Sequence, residues 1–523
     1  MKVGLAQIEV AAGLPEVNIT KILKFIAQAK AQNCDALIFP AVAMSGENFN
    51  DSEALLREIA DYIDEMVEAS SDIILIFGGY EVRAAKDNKF FDVKNLDFQI
   101  KMVASTFAVD KIFERDKINS ARAVENNRPL IYVNLIGITN TGKTIYTYDG
   151  CSSVYNSRGE IVKRLPPFTE TLEVIDTAEI DNLPPLPAYN EKPVAQIYCA
   201  LNFGVDRFLK QINMKKIVIG ISGGIDSAIA AALYTKILGK ENVLLVNMPS
   251  VFNSMTTRNL SEKLANNLGC KYAVVTIQNS VDSTIRQLEL TPITFLAEGS
   301  SEEIKVSSFV RENLQARDRS ARVLATLAAT IGGGFTCNAN KAETTIGYAT
   351  LYGDCAGVLA ATADLWKFQV YELAHYLNEE MYGREVIPQG IIDIVPSAEL
   401  SDAQNVDEGK GDPLHYDYHD YLFRAFVEEN LTPEDILNWY IEKNLEQKIG
   451  CEAELVQKYF PRPKNFIEDL EKWWTQFQGI AVAKRIQAPP LIAVGKRPFG
   501  SFVEMQNTPH FTKKYLNLKA TFQ

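Results

Sequence analysis

Histidine and cysteine are scarce in this sequence. Its 523 residues include four His and seven Cys. The cysteines are scattered, odd in number and never spaced as CxxC. That spacing speaks against a disulfide framework and for a reducing, cytoplasmic setting. No apolar run is long enough to span a bilayer. Met1 leads straight into a strand-like stretch, KVGLAQIEV, rather than a secretory leader. Positive charge is also short: 53 Lys and Arg face 66 Asp and Glu, a net charge of −13. This excludes general nucleic-acid binding, though not a local basic pocket for an anionic metabolite. A single ordinary core is excluded by length, so two or three domains are expected.

The sequence does contain one highly organised stretch, Ile217 to Leu233 (IVIGISGGIDSAIAAAL). A β-branched apolar run ends in Ser222-Gly223-Gly224-Ile225-Asp226-Ser227, and an alanine-rich run follows at once. The pattern predicts a buried strand, a glycine turn and a helix start. Backbone amides at such a turn suit phosphate groups, and Ser222 and Ser227 add hydroxyls. Asp226 would repel phosphate unless a cation lay between them, so its presence implies Mg²⁺. The lysine of the Walker A loop is missing. SGGIDS resembles instead the pyrophosphate loop of the N-type ATP pyrophosphatases, which cleave ATP between its α and β phosphates.

The first third reads as strand, helix and strand: Val3 to Val10, Asn18 to Gln32, Cys34 to Pro40, then a strand from Asp72 to Tyr80. This order predicts a largely parallel sheet covered by helices. The segments AQIEVAAGLPEVN, DALIFPAVAMSG, RPLIYVNLIG, YDGCSSVYNSRGEIV and PPFTETLEVID resemble the nitrilase-like carbon–nitrogen hydrolases. In that family a Glu, a Lys and a Cys hydrolyse an amide. Here Ala41 stands where the catalytic Glu should follow Pro40. The span between Tyr80 and Val103 is too short for the middle that carries the Lys and the Cys. Cys151 lies in a strand context near the end of the domain and reads as structural. The resemblance therefore implies a catalytically inactive glutaminase, kept for folding, assembly or docking.

A proline-rich segment, 181–194, reads as a linker between a domain at 1–180 and a second at 195–523. Beyond it, strands and helices alternate: Val243 to Val246, Leu260 to Leu268, Tyr272 to Ile277. That predicts a doubly wound parallel sheet with its ligand beyond the C-terminal strand ends. Ordered blocks then follow: ENLQAR (312–317), NKAE (340–343), GYATLYGD (347–354), DLWK (364–367), a short strand before PSAEL (396–400), KRIQAPP (484–490) and RPFG (497–500). In this order they resemble the NAD⁺ synthetases, in the two-domain branch with a nitrilase-like front. The expected fold is thus α/β: a truncated nitrilase-like sandwich plus an ATP-pyrophosphatase domain.

The resemblance assigns roles by motif position. Ser222, Gly223, Gly224, Asp226, Ser227 and Lys367 would bind ATP and its pyrophosphate, and Asp226 and Glu343 would hold Mg²⁺. Asn313, Arg317, Asn338, Asp354, Lys484 and Arg485 would bind the deamido dinucleotide, the last two on a segment that closes over the site. Arg317 and Arg319 also fit a plain polar helix face. Two departures bear on nucleotide affinity: Asn338-Ala339 replaces the usual Thr-Gly, and Phe368 replaces a Thr. His415 and His419, four apart with Asp412, Asp417 and Asp420 near, have a spacing that can bind zinc on a helix. Gly411 and Pro413 disfavour a helix there, so the segment reads as exposed and polar.

The expected activity is ATP-dependent amidation of nicotinic acid adenine dinucleotide with free ammonia, by a homodimer or higher homo-oligomer. No nucleic acid or membrane is involved, and a separate glutaminase is possible. The alternatives are a glutamine-dependent enzyme with relocated or partner-supplied glutaminase activity, another N-type pyrophosphatase such as a tRNA thiolase with Cys337 and Cys355 as its thiols, or a binding protein built on an inactive synthetase.

Overall fold

Strands that are apolar on both faces must be covered on both faces, and this determines the first unit. The computed structural model describes residues 1–47, 51–79, 82–87, 89–91, 96–502, 504 and 508–522. The chain divides into two compact units, Met1–Phe208 and Leu209–Gln523. The division falls within the helix Pro193–Gln211, C-terminal to the proline-rich segment 181–194.

In the first unit, Lys2–Gln7, Ala36–Ile38 and Ile74–Gly78 run parallel at the centre of a six-stranded sheet. Thr171–Asp176 flanks them on one side and Val82–Lys86 with Lys89–Phe91 on the other, all antiparallel. The sheet is therefore mixed rather than largely parallel. Only residues 79–81 separate Gly78 from Val82, too few for a crossover helix. The strand expected through Tyr80 ends at Gly78, and Tyr80 lies outside the described residues. A second sheet comprises Gln99–Val103, Leu130–Asn134, Ser153–Tyr155 and Ile161–Arg164. Val3, Leu5, Ala36 and Ile38 pack towards Ile131 and Val133 of that sheet. The alternate residues Ala6, Leu37 and Phe39 pack with Ile19, Ile22 and Phe25 of the helix Pro15–Ala31. The helix starts at Pro15, ahead of the expected Asn18, because proline is favoured in a first turn.

The second unit centres on four parallel strands in the order Lys271–Val274, Val243–Asn247, Ile217–Gly220, Gly334–Phe335. The chain steps outward twice from Ile217–Gly220, then returns to that strand's other side. The order thus reverses beside Ile217–Gly220, where a doubly wound sheet opens its ligand crevice. The helix Ile225–Leu238 is apolar on all sides and buried along Ile225 to Thr235, apart from Asp226. The short strand expected before Pro396 is instead the helix Gln389–Asp393, with Pro388 immediately before it.

Further helices, Tyr416–Val427, Pro433–Ile441 and Pro463–Gln478, close round an aromatic core with Phe423, Phe426, Phe466, Trp473 and Trp474. The segment at His415 is a correction. Gly411 and Pro413 fall before the helix, so Tyr416 onward is helical, and His419 and Asp420 are both 0% exposed. His419 Nδ1 accepts the His415 N–H at 2.8 Å, and its Nε2 lies 3.0 Å from Asp469 Oδ2. Among the described residues no helix is long and apolar enough to cross a membrane.

Candidate functional site

The glycine loop leaves the strand Ile217–Gly220 and enters the helix Ile225–Leu238 through Gly224. Gly223 has φ +89°, and a Cβ there would sit 2.3 Å from the Thr257 carbonyl oxygen. Only glycine allows that approach. The two serines pin the turn. Ser222 Oγ accepts the Gly224 N–H at 3.2 Å and lies 3.3 Å from Ser227 Oγ. Ser227 Oγ donates to the Gly224 carbonyl at 3.0 Å. Ser222, Gly223, Gly224, Asp226 and Ser227 all line one cavity of about 860 Å³.

Lys367 and Glu343 reach the same cavity from distant parts of the chain. Lys367 Nζ lies 2.5 Å from Asp226 Oδ2, and Asn340 Nδ2 donates to Asp226 Oδ1 at 3.0 Å. Asn340 also caps the helix Lys341–Ile346. Its side chain accepts the Glu343 N–H at 3.0 Å, and Glu343 Oε2 accepts the Asn340 N–H at 3.3 Å. One asparagine thus fixes both acids. Burial opposes charge on Lys367, but Asp226 and Glu343 outweigh it and raise its pKa. Burial, then Asp226, pushes Glu343 well above the carboxylate range, against the pull of Lys367. Glu343 is thus a second acid beside Asp226 that one ammonium does not suffice to stabilise as an anion.

No group of three or more His, Cys, Asp or Glu among the described residues is arranged to hold a metal. Mg²⁺ is commonly held by one or two carboxylates together with substrate phosphates. Asp226 and Glu343 supply oxygen donors of that kind, so the residues present fit it.

Asn313, Arg317, Asn338, Asp354 and Lys484 line the cavity as well. Asn338 Nδ2 donates to the Gly220 carbonyl at 3.1 Å, joining the strand ends on either side of the crevice. Thr350 donates through Oγ1 to Asn313 Oδ1 at 2.9 Å and through N–H to Asp354 Oδ1 at 2.6 Å. Arg317 Nε donates to the Leu351 carbonyl at 3.0 Å. Enclosure raises the Asp354 pKa, and burial lowers that of Lys484, whose Nζ donates to the Gly347 carbonyl at 2.7 Å.

Arg485 is a correction. It does not line the cavity and is 3% exposed. Its guanidinium donates to Glu504 Oε1 and the Thr345 carbonyl, both at 2.6 Å, and to the Phe477 carbonyl at 3.0 Å. Successive residues on the helix Ile480–Gln487 point about 100° apart, so Lys484 and Arg485 face different ways. The two departures from the family pattern are also placed. Ala339 is not among the residues with positive φ, so glycine is not required there. Phe368 stacks on Tyr421, ring centroids 5.6 Å apart, and does not line the cavity.

Three features escaped the sequence. Arg319 lines the cavity, donating from Nε to the Met248 carbonyl at 3.1 Å and from Nη2 to Asn253 Oδ1 at 3.0 Å. Burial lowers its pKa to about 10. A π-type turn over Asp318–Leu324 interrupts regular helical spacing, so the polar-face reading failed. Glu399 clamps the start of the helix Met255–Leu268, accepting the Ser254 N–H at 3.1 Å and the Thr257 hydroxyl at 2.7 Å. Asp412 receives the Tyr348 hydroxyl at 3.0 Å, and Gln404 Nε2 donates to that hydroxyl at 2.9 Å. Cys337 and Cys355 are both buried. Their mutual hydrogen bond, then burial, pushes the Cys355 thiol far up, which is unsuited to thiolation chemistry.

In the first unit the described residues around Cys151 leave little space. Ala41 is 8% exposed. Cys151 is buried at φ +50°, and burial followed by Asp149 pushes its thiol well up. Arg115 Nη2 lies 2.6 Å from Asp149 Oδ2 beside it. The cavity there is about 10 Å³, room for about one water. Burial also raises the thiols of Cys34 and Cys199, the latter to about 11.

A parallel sheet whose order reverses beside a glycine loop, with an acid and a lysine paired at its mouth, defines the class: a two-unit α/β protein with an ATP-pyrophosphatase domain. The chain belongs to the NAD synthase family, whose profile matches residues 197–458. It is 33% identical over 414 residues to a glutamine-dependent NAD(+) synthetase of Synechocystis sp., covering 78% of this chain and 65% of that one. To the enzyme of that name from Acinetobacter baylyi it is 26% identical over 519 residues, covering 86% and 92%. The crystal structure of a glutamine-dependent NAD(+) synthetase from Cytophaga hutchinsonii shares the fold, with a TM-score of 0.77 at 16% identity over 99% of each chain. The chain spans 65%, 60% and 62% of the length of its relatives from Synechocystis sp., Thermotoga maritima and Aquifex aeolicus. Free ammonia as the nitrogen source, expected from Ala41 and the short middle, is corrected by these relatives, which are named for glutamine.

Proposed function

We propose that this chain is a NAD⁺ synthetase, a ligase that amidates nicotinic acid adenine dinucleotide at the expense of ATP with nitrogen drawn from glutamine. The observation that carries the reading is the contact of Asp226 with Lys367 at the mouth of the glycine loop, with Glu343 held against them. The acceptor carboxylate attacks the α phosphate of ATP, forming an acyl-adenylate and releasing pyrophosphate. Ammonia released from glutamine then attacks the acyl carbon, AMP leaves with the electrons of the acyl–oxygen bond, and the nitrogen gives up a proton to form the amide. Ser222, Ser227 and the loop amides hold the departing pyrophosphate, and Lys367 offsets its charge. Mg²⁺ held by Asp226 and Glu343 would neutralise phosphate charge. Asn313, Arg317, Asn338 and Asp354 orient the dinucleotide, joined by Arg319. Lys484 belongs to the segment that excludes water from the acyl-adenylate.

Ala41 and the short span between Tyr80 and Val103 leave the first unit without the family's base and nucleophile at their usual positions. We infer that glutamine is hydrolysed by residues elsewhere or by a separate protein, and that the first unit serves assembly of a cytoplasmic homo-oligomer. The test is formation of NAD⁺ from the dinucleotide, ATP and Mg²⁺ with amide-¹⁵N glutamine, on pure protein and with cell extract. An ammonium arm bypasses glutamine hydrolysis. Labelled NAD⁺ from pure protein means relocated residues, and labelled NAD⁺ only with extract means a partner. Labelled product in neither overturns the nitrogen source, and no AMP in any arm overturns the synthetase reading.

A further inference from the structure

The helix that carries Lys367 is only half capped by its own residues, Gln369 Oε1 accepting the Trp366 N–H at 3.0 Å. Trp366 precedes Lys367–Tyr376 and makes no side-chain cap hydrogen bond. The first backbone donors of a helix need an acceptor from elsewhere. Asp420 provides one across the fold, its Oδ2 accepting the Phe368 N–H at 2.8 Å. Asp420 is 0% exposed, and its Oδ1 has no hydrogen-bond partner among the described residues. Burial pushes its pKa to about 7, against the pull of the Phe368 N–H, the Lys367 charge and the Lys367 N–H. Tyr416, four residues earlier on the helix Tyr416–Val427, faces the same way. Its ring lies 4.9 Å from Lys367 Nζ.

We propose that Asp420 is a positioning residue for the phosphate lysine. It anchors the first turn of the Lys367 helix and so sets where the ammonium meets Asp226. A carboxyl group suits the place because, protonated or not, it offers an oxygen to the unpaired N–H groups of a helix start. An apolar residue would leave those donors buried and unsatisfied. The proposal rests on the reading of Lys367 as a nucleotide-binding residue.

A double-mutant cycle on the full chain separates positioning from a merely structural cap. Affinity for Mg²⁺-ATP is read by titration calorimetry, and thermal unfolding checks the fold of each variant. Asp420→Ala is expected to weaken ATP binding about tenfold, and Asp420→Asn, which keeps an acceptor oxygen, less than about threefold. In a Lys367→Ala background, Asp420→Ala should add less than about twofold, because the lysine it positions is gone. If Asp420→Ala does not fold, Asp420→Ser takes its place in the cycle. A full tenfold loss persisting without Lys367, or wild-type affinity in Asp420→Ala, overturns the proposal. Wild-type protein that binds no ATP, or unchanged affinity in Lys367→Ala, overturns the underlying reading of the site as well.

Discussion

In the first unit Arg115 and Asp149 lie 2.6 Å apart around a space of about 10 Å³, and the neighbouring thiol is held protonated. In the second, Asp226, Glu343, Asp412 and Asp420 gather near Lys367, three of them opening on a cavity of about 860 Å³. Both units are α/β, and both bury apolar strands on two faces. Their difference lies in how completely their interiors neutralise charge. An interior that need only persist pairs its charges, because an unpaired one is costly. An interior built to receive a ligand crowds acids round one lysine, acids that a bound cation would stabilise as anions.

Several substitutions test this contrast. The largest effect is expected from Asp226→Ala, which should cut AMP formation from ATP and the dinucleotide about a thousandfold, with some loss of thermal stability because the buried Lys367 loses its partner. Retention of more than about a tenth of wild-type activity would put the chemistry elsewhere. In the first unit, Arg115→Met should strand the Asp149 carboxylate and cost about 3–5 kcal/mol in denaturant unfolding, with ATP affinity unchanged. Weakened ATP binding in folded Arg115→Met protein would erase the distinction between the units.

A smaller effect is expected from pH. Asp420 is raised from an ordinary value of 3.8 to about 7 in the fold. Below pH 4 it is protonated in folded and unfolded chains alike, so it costs nothing. As pH rises towards about 7 the unfolded chain ionises freely while the folded one retains its proton, so stability falls across this window. Asp420→Asn should flatten that part of the profile, read as urea midpoints between pH 4 and 8. An unchanged slope would mean the group is not held protonated. The smallest effect belongs to Ala339→Gly, expected to change ATP affinity less than about twofold because the backbone there does not need glycine.

The parts legible in the sequence were those with local causes. A β-branched run, two glycines and an alanine-rich run specify strand, turn and helix within seventeen residues, Ile217 to Leu233. The front sheet was read as largely parallel because the strand-helix-strand pattern says nothing about a short return after Gly78. His419 and Asp420 looked exposed because Gly411 and Pro413 disfavour a helix, whereas the helix starts just after them and the Pro463–Gln478 helix, through the half-buried Asp469, gives His419 a partner. Arg485 and Lys484 are neighbours in sequence, and only the helix phase separates their roles. Arg319 was missed for a similar reason, since a π-type turn shifts the phase on which its direction depends.

The strand order also has a consequence in time. Strands Ile217–Gly220, Val243–Asn247 and Lys271–Val274 follow one another closely, whereas Gly334–Phe335 joins the sheet much later in the chain. Asn338 meets Gly220 across 118 residues, and Lys367 meets Asp226 across 141. During synthesis a growing chain can therefore pair three strands and form the glycine loop long before the lysine leaves the ribosome. The pocket is completed late, and from that moment a ligand that binds only the finished fold, ATP in the function proposed above, draws the chain towards it.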